Sequence, residues 1–167
     1  MKISRKVAMT PRSAFASLRE KHFTKQISMT KEIWINLPVK NIAASKEFFT
    51  KLGFSFNSQF GNTEHSACLN IGSKNVVVML FGESLFKSFT QNDIADTSKV
   101  TEVLFSIDAE SIEEVNALAQ KAEEAGGIVF GKPQENQGWM YGCGFTDLDG
   151  HRWNVLYMDM SKIPRAN

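Results

Sequence analysis

The feature that most constrains the fold is an internal repeat, in which one strand, one helix and three further strands occur twice in the same order. Strands are predicted from alternating apolar residues, and helices from apolar residues three or four positions apart. The predicted elements are strands at 32–39, 54–60, 66–71 and 75–81 around a helix at 42–52, then strands at 101–108, 128–131, 140–146 and 151–158 around a helix at 112–125. This repeat predicts an α+β fold in which two β-α-β-β-β modules share one core.

Capping residues mark the ends of both predicted helices. Asn41 is a favoured N-cap, and Gly53 readily takes the left-handed conformation that ends a helix. Ser111 followed by Glu114 has the spacing of a capping box. Between the modules, residues 83–89 predict a short helix, and the polar segment 90–98 predicts a connecting loop.

The segment 141–157 predicts a hairpin with Asp149-Gly150 at its turn, because glycine accepts a positive φ without steric cost. Beyond the turn, side chains alternate between the two faces of a strand. One face carries His151, Trp153, Val155 and Tyr157 and suits packing against a helix, and the other carries Arg152, Asn154, Leu156 and Met158. The second face is either the wall of a polar-tipped pocket or the solvated side of an ordinary hairpin.

Charge is divided unevenly along the chain. The net charge of the 167 residues is +1, but residues 1–27 hold seven basic residues and one acidic residue, which leaves the rest at −5. The body of the protein therefore does not attract nucleic acid. No apolar run is long enough to span a membrane. Cys68 and Cys143 lack metal or redox spacing, so they are predicted to be small buried hydrophobes, as suits a reducing compartment.

The predicted organisation is a basic leader at 1–28, a first module at 29–90, a second module at 99–160 and a tail at 161–167. The leader has three interpretations: a misread start site, a disordered tail or an organellar transit peptide. A cytoplasmic location is predicted, with import into an organelle if the leader is a transit peptide.

Five segments carry a resemblance to a known family. They are I-W-I-N-L-P-V at 33–39, F-F-T-K-L-G-F at 48–54, T-E-V-L at 101–104, G-W-M-Y-G at 138–142 and D-L-D-G-H-R-W at 147–153. Over residues 29–164 the chain resembles the glyoxalase/bleomycin-resistance/extradiol-dioxygenase group, the vicinal oxygen chelate superfamily, and within it bacterial proteins labelled predicted lactoylglutathione lyases. The resemblance implies an open, curved, barrel-like sheet with outer helices around a cavity.

The resemblance also places the metal ligands of the superfamily's enzymes, and this chain departs from them. Those positions fall on Trp34, Met79, Glu102 and Asn154. An indole does not ligate metals, a thioether is a soft ligand, and one carboxylate with one amide is too few for a zinc or magnesium site. We therefore predict no metal and no other cofactor, with a divalent metal kept as the alternative.

The predicted cavity lining suits a small organic ligand. Strand phase and resemblance together give Trp34, Asn36, Met79, Phe81, Glu102, Ser106, Arg152 and Asn154, with Val77 and Leu104 beside them and Trp139 and Tyr141 at the rim. Glu102 is the candidate catalytic residue, since a desolvated carboxylate can act as a general base. The alternative is a filled core in which Glu102 pairs with Arg152.

Two functional classes follow from this lining. The first is a metal-independent small-molecule binding protein, similar to bleomycin-resistance proteins and therefore expected to be a homodimer. The second is a metal-dependent lyase or isomerase of the lactoylglutathione lyase type. The sequence leaves open whether the chain is an enzyme, which ligand it takes, and whether two chains exchange modules.

Overall fold

Two four-stranded sheets, each with one long helix packed on it, form the part of the chain that the structure describes. The computed structural model describes residues 32–74 and 76–163, so the predictions for residues 1–28 and for the end of the tail lie outside the described residues. The first module is β1 (Ile35–Val39), α1 (Ile42–Leu52), β2 (Ser55–Phe56), β3 (Ser66–Ile71) and β4 (Val76–Gly82), and α2 (Glu83–Thr90) follows it. The second is β5 (Leu104–Asp108), α3 (Ile112–Glu124), β6 (Ile128–Asn136), β7 (Met140–Thr146) and β8 (Arg152–Met158), with a 3₁₀ turn at Met160–Lys162.

The two sheets have the same topology, which confirms the predicted α+β repeat. Their strand orders are β1-β4-β3-β2 and β5-β8-β7-β6. In each sheet the first strand runs parallel to the last, and the other pairs are antiparallel. The described strands do not close into one barrel. None of the described helices is long and apolar enough to cross a membrane.

The predicted helix caps are present. The Asn41 side chain accepts a hydrogen bond from the Ala44 N–H, and Gly53 ends α1 with φ 101°. Ser111 Oγ accepts from the Glu114 N–H at 3.1 Å, while the Glu114 carboxylate reaches the Glu110 N–H at 2.7 Å. The capping box therefore closes one residue earlier than its usual form, in which the carboxylate binds the N-cap N–H.

Three strands are shorter than predicted by at least three residues. β2 stops at Phe56, because the Asn57 side chain accepts from the Gln59 and Phe60 N–H groups and turns the chain. β5 begins at Leu104 rather than at residue 101. Its partner β8 begins at Arg152, which lies opposite Leu104, so residues 101–103 have no β8 residue to pair with. β1 likewise begins at Ile35, which leaves Trp34 outside the strand.

The helix-facing sides of both sheets meet in one hydrophobic core. The Phe49 and Trp153 rings lie 5.5 Å apart and the Phe48 and Phe145 rings 6.4 Å apart, so α1 of the first module packs against β7 and β8 of the second. Val115 and Ala122 of α3 belong to the same buried cluster. Because the core lies on the helix side of each sheet, we call the opposite sides the open faces. The sequence analysis predicted one cavity lined by strands of both modules. Neither of two large clefts among the described residues is lined by the open faces of both sheets.

The turn between β7 and β8 is organised by the buried Asp147 carboxylate. It accepts hydrogen bonds from the Asp149 and His151 N–H groups, from His151 Nδ1 and from Trp153 Nε1. Asp149 then reaches the first module, where its carboxylate accepts from the Lys40 N–H at 2.9 Å and from Ser45 Oγ at 3.2 Å. The turn that the sequence predicts is therefore the joint between the modules.

The charge state of His151 is coupled to this joint. Burial, the largest single influence, lowers the pKa of His151, but the hydrogen bond and charge of Asp147 and the charge of Asp149 outweigh it. The pKa of His151 consequently lies above its ordinary value of 6.5. The folded protein thus favours the protonated imidazole more than the unfolded chain does.

Replacing the central carboxylate should destabilise the whole described unit. We expect Asp147→Ala to lower the free energy of unfolding by about 3 kcal/mol, because four donors lose their acceptor in a buried position. Urea denaturation followed by circular dichroism measures this. The control Asp159→Ala removes a more exposed carboxylate near the end of the described chain and should cost under about 1 kcal/mol. Equal losses in the two variants would show that Asp147 is not central.

The raised pKa of His151 also predicts the sign of a pH dependence. The stabilisation by the protonated imidazole is fully present below pH 6.5, the ordinary pKa, and is lost as the pH rises through the higher pKa of the folded state. The free energy of unfolding should therefore fall as the pH rises above 6.5 in urea titrations. His151→Gln should remove this slope, and a wild-type slope of the opposite sign would contradict the assignment.

A candidate binding cleft on the open face of the second sheet

The open face of the second sheet brings several predicted ligand-binding residues together. Ser106 of β5 lies beside Asn154 of β8, and Leu104 lies beside Arg152. On the other edge of β8, the same Asn154 is opposite Gly144 of β7. Strand alternation therefore places Ser106, Arg152 and Asn154 on one face, as the sequence predicts.

A cleft of about 420 Å³ lies over this face. Its floor includes Gly142 and Gly144, which have no side chains to fill it, and Asn154 and Leu156 project beside them. A Cβ atom at Gly144 would lie 2.5 Å from the Phe130 ring, and one at Gly142 would lie 2.7 Å from Leu156 Cδ2. The two glycines therefore let Phe130 and Leu156 lean over the floor and shape the cleft.

Polar groups stand at the edge of the cleft. Lys132 and Gln134 of β6 line it together with Asn154. The Arg152 guanidinium lies over the Phe130 ring, 4.5 Å from its centroid, in a cation–π contact that orders both side chains. The cleft thus combines an aromatic wall with several amides, the Glu135 carboxylate and two cationic groups, of Lys132 and of the nearby Arg152.

β6 supplies the part of this cleft that the sequence analysis missed. The predicted strand ended at Gly131, whereas the observed strand continues to Asn136 through two register irregularities. The missed wall residues on β6 are Phe130, Gly131, Lys132, Gln134, Glu135 and Asn136, and those on β7 are Met140, Gly142, Cys143 and Gly144. The alternation of Gly142 and Gly144 on one strand face is the signal that could have indicated an open floor.

Glu102 does not lie where the sequence analysis placed it. It precedes β5 and is exposed to solvent, so the apolar environment that a desolvated general base needs is missing. The alternative pair with Arg152 does not form either, because the guanidinium stacks on Phe130. The catalytic interpretation of Glu102 is therefore not supported by its position.

The first sheet holds its predicted residues apart from this cleft. Asn36 lies beside Met79 on the open face of that sheet. The segment 57–65 folds over this face, and a Cβ atom at Gly61 would come within 3.2 Å of Met79 Cε. Phe81 is in edge contact with Phe89 of α2 at 5.2 Å. Around Met79 and Phe81 the face is thus partly covered by the module itself.

Of the three remaining aromatic residues, Trp34 and Tyr141 lie in settings that differ from their predicted roles. Trp34 precedes β1 and is 65% exposed, so it stands at an edge rather than in a lining. Trp139 follows the turn between β6 and β7 and is half-buried. Tyr141 lies on the helix side of its sheet, where its hydroxyl donates to Asn116 Oδ1 of α3 at 3.1 Å, because residue 141 alternates with Gly142. Tyr141 therefore does not line the rim of the cleft.

The positions that would hold a metal in the superfamily's enzymes do not fit one. Asn154 is the one such position in the cleft, Met79 lies on the other sheet, and Trp34 and Glu102 lie outside the strands. An amide oxygen and a thioether on separate sheets are a poor donor set for a divalent ion. Among residues 32–74 and 76–163, no three His, Cys, Asp or Glu side chains are grouped to hold a metal.

The cysteines are inert in this setting. Both are free and buried, as the sequence predicts. Burial raises the pKa of the Cys143 thiol to about 11, and burial also raises the pKa of Cys68. Cys143 borders the cleft as a neutral thiol and offers no nucleophile at neutral pH.

Comparisons with known proteins agree with this architecture. The family model described as the N-terminal domain of bleomycin resistance-like proteins matches residues 31–72. The hypothetical protein SA1046 from S. aureus is 34% identical with a TM-score of 0.68, over 77% of this chain and 94% of that one. No curated protein sequence matches the chain significantly.

More distant structures share the fold alone. A glyoxalase/bleomycin resistance protein/dioxygenase family enzyme from Burkholderia phytofirmans is 15% identical with a TM-score of 0.64, over 75% of this chain and 96% of that one. TnmS3, an antibiotic binding protein from a Streptomyces species, is 16% identical with a TM-score of 0.53, over 79% of this chain and 98% of that one. With its repeated β-α-β-β-β topology, the chain belongs to the glyoxalase/bleomycin-resistance/dioxygenase group, the vicinal oxygen chelate superfamily.

Proposed function

We propose that this protein binds a small organic molecule in the cleft of the second sheet and does so without a metal. The observation that carries the proposal is the unfilled cleft of about 420 Å³ over a glycine floor. Concave pockets of this size that combine apolar surfaces with a few fixed polar groups are typical of small-molecule sites. The wall of this cleft mixes apolar side chains with five polar ones. The glycine floor leaves no side chain of its own strand to occupy the space.

The cleft favours a ligand with a planar apolar part and an acceptor group. Phe130, Met140 and Leu156 offer surfaces for an aromatic or apolar body. Asn154 and Lys132 line the same space and can donate hydrogen bonds to a carbonyl, phenolate or carboxylate. Arg152, held over Phe130, adds positive charge beside it. TnmS3, which shares the fold, is an antibiotic binding protein, and this supports a small organic ligand for this chain.

Metal independence is supported by the donor chemistry of the cleft. The alternative, a metal-dependent lyase or isomerase of the lactoylglutathione lyase type, needs ligands for the divalent ion that acts as a Lewis acid. The cleft offers one amide at the position where that class has a ligand, and the exposed Glu102 stands outside it. The binding protein therefore accounts for the residues better than the metal enzyme does.

We further propose that two chains associate through their open faces. Leu104, Phe130 and Met158 lie on the open side of the second sheet and are 48%, 45% and 41% exposed. Large apolar residues that are exposed on one face of a sheet are candidates for an association surface. A partner chain over the open faces would also enclose the cleft, which one chain leaves open.

A fluorescent probe tests the binding cleft. We expect 8-anilinonaphthalene-1-sulfonate, a planar aromatic anion, to bind with a fluorescence increase. Asn154→Leu and Arg152→Met should each weaken its binding by about 1.5 kcal/mol, roughly tenfold, through loss of a polar partner. Lys51→Met, on the exposed side of α1, is the matched control and should bind like the wild type. Unchanged titrations of both cleft variants would refute the proposed site.

Light scattering coupled to size-exclusion chromatography tests the association. We expect the mass of two chains for the wild type. Leu104→Lys should give the mass of one chain, because it buries a second cation beside Arg152 at the interface. Ile112→Lys, on the exposed start of α3, should leave the dimer intact. A monomeric wild type, or a Leu104→Lys variant that stays dimeric at low concentration, would contradict this assembly.

A further inference from the structure

The open face of the second sheet continues beyond the cleft into one more row of side chains. The row runs across the sheet through register partners on β6, β7, β8 and β5, which are Ile128, Thr146, Arg152 and Leu104. Asn154 of the cleft lies two residues further along β8. Two residues of a strand span about 7 Å, so a molecule in the cleft can extend to this row.

Arg152 stands in this row as a guanidinium without an internal acceptor. Within the described ranges it takes part in no ion pair and donates no hydrogen bond. The Phe130 ring supports it at 4.5 Å, and the side chain is half-buried. A guanidinium has its five N–H donors in one plane, so a ring against its face leaves their edges available. The cation is therefore held in place with its donors unmatched.

The Thr146 hydroxyl is a second polar group in this row without a partner. Thr146 is 9% exposed, and its Oγ1 atom forms no hydrogen bond with any residue that the structure describes. Its neighbour Phe145 is fully buried in the core, so alternation turns the Thr146 side chain to the open face. Thr146 and Arg152 are directly opposite on adjacent strands, which places their Cβ atoms about 5 Å apart.

Two such groups side by side indicate a missing partner. Buried polar groups nearly always have a hydrogen-bond partner, in the protein or in an ordered molecule beside it. Both Thr146 and Arg152 offer donors, and Arg152 adds a positive charge. The partner that satisfies both is an anion with several acceptor atoms.

Two carboxylates close to this face in sequence or space leave Arg152 unpaired. Glu102 precedes the partner strand β5, but it is exposed and forms no ion pair with the guanidinium. Glu135 of the cleft wall is opposite Tyr141, five residues from Thr146 along β7. Five residues of a strand span about 17 Å. The charge of Arg152 is therefore available to a ligand.

We propose that Thr146 and Arg152 form a carboxylate subsite at the end of the cleft, which makes the ligand an aromatic or apolar carboxylate. This inference rests on the binding function proposed above and names the charged group of its ligand. A planar carboxylate matches the planar fork of the guanidinium with two parallel hydrogen bonds. The Thr146 hydroxyl donates a third to one of the two oxygens. The apolar body of the ligand then extends past Asn154 over the cleft floor.

Three naphthalene probes test the charged group while the apolar body stays constant. They are 2-naphthoate, its neutral amide 2-naphthamide and the cation 2-naphthylmethylammonium. Calorimetric titration of the full chain at neutral pH gives each affinity. We expect naphthoate to bind about tenfold more tightly than the amide, because hydrogen bonds between charged groups are the stronger ones. Tighter binding of the ammonium than of naphthoate would overturn the proposal.

Variants of the two residues locate the subsite. Arg152→Lys keeps the charge but loses the planar fork, and Thr146→Val removes the hydroxyl at nearly constant volume. Each should weaken naphthoate binding about fivefold and naphthamide binding less. Thr146→Ser retains the hydroxyl and should keep the preference for naphthoate, which separates hydrogen bonding from packing. Thr90→Val, at the exposed end of α2, is the matched control and should bind like the wild type.

The outcomes distinguish this subsite from the cleft itself. Equal affinities for naphthoate and naphthamide, with binding that Asn154→Leu weakens, would overturn the carboxylate subsite and leave the cleft standing. Failure of all three probes to bind would overturn both proposals. A preference for naphthoate that survives both Arg152→Lys and Thr146→Val unchanged would place the carboxylate elsewhere and likewise overturn the subsite.

Discussion

The arrangement of the two modules depends on one buried carboxylate. Asp147 fixes the backbone of its turn through two N–H groups and holds the His151 and Trp153 rings through their nitrogen atoms. With its indole N–H satisfied, Trp153 can be buried entirely and stack between the two modules. The same turn carries Asp149 to the start of α1. A polar network thus determines where the apolar core of one module meets that of the other.

This network explains why D-L-D-G-H-R-W is informative about the fold and says little about the ligand. Gly150 takes φ 85°, and a Cβ atom there would lie 2.5 Å from Thr97 Oγ1. Thr97 in turn donates to the Asp149 carbonyl at 2.6 Å, which fixes the connecting segment against the turn. Apart from Arg152, every residue of the motif up to Trp153 acts in the turn or in packing, so the motif would be present whichever molecule the protein binds.

How far the sequence predicted the structure varies with the kind of interaction involved. Local signals succeeded: caps at Asn41, Gly53 and Ser111 and the strand at Ser66–Ile71 depend on near neighbours alone. Strand ends that depend on the partner strand could not be predicted from the sequence. The start of β5 at Leu104 follows from the start of its partner β8 at Arg152, which only the structure shows. That one difference removed Glu102 from the site. The cleft was half predicted, because Ser106 and Asn154 follow from alternation, whereas Phe130 reaches it across an irregular strand pair.

Each strand of the second sheet carries two separate sets of residues, one for the core and one for the open face. Trp153 and Val155 are fully buried, while their neighbours Arg152 and Asn154 contribute nothing to that core. Substitutions of residues on the open face therefore cost little folding free energy. Substitutions of the buried residues that alternate with them cost much more. Natural variation could consequently alter the chemistry of the cleft one residue at a time without loss of the fold. A lineage with this architecture can diversify its ligands faster than its scaffold changes.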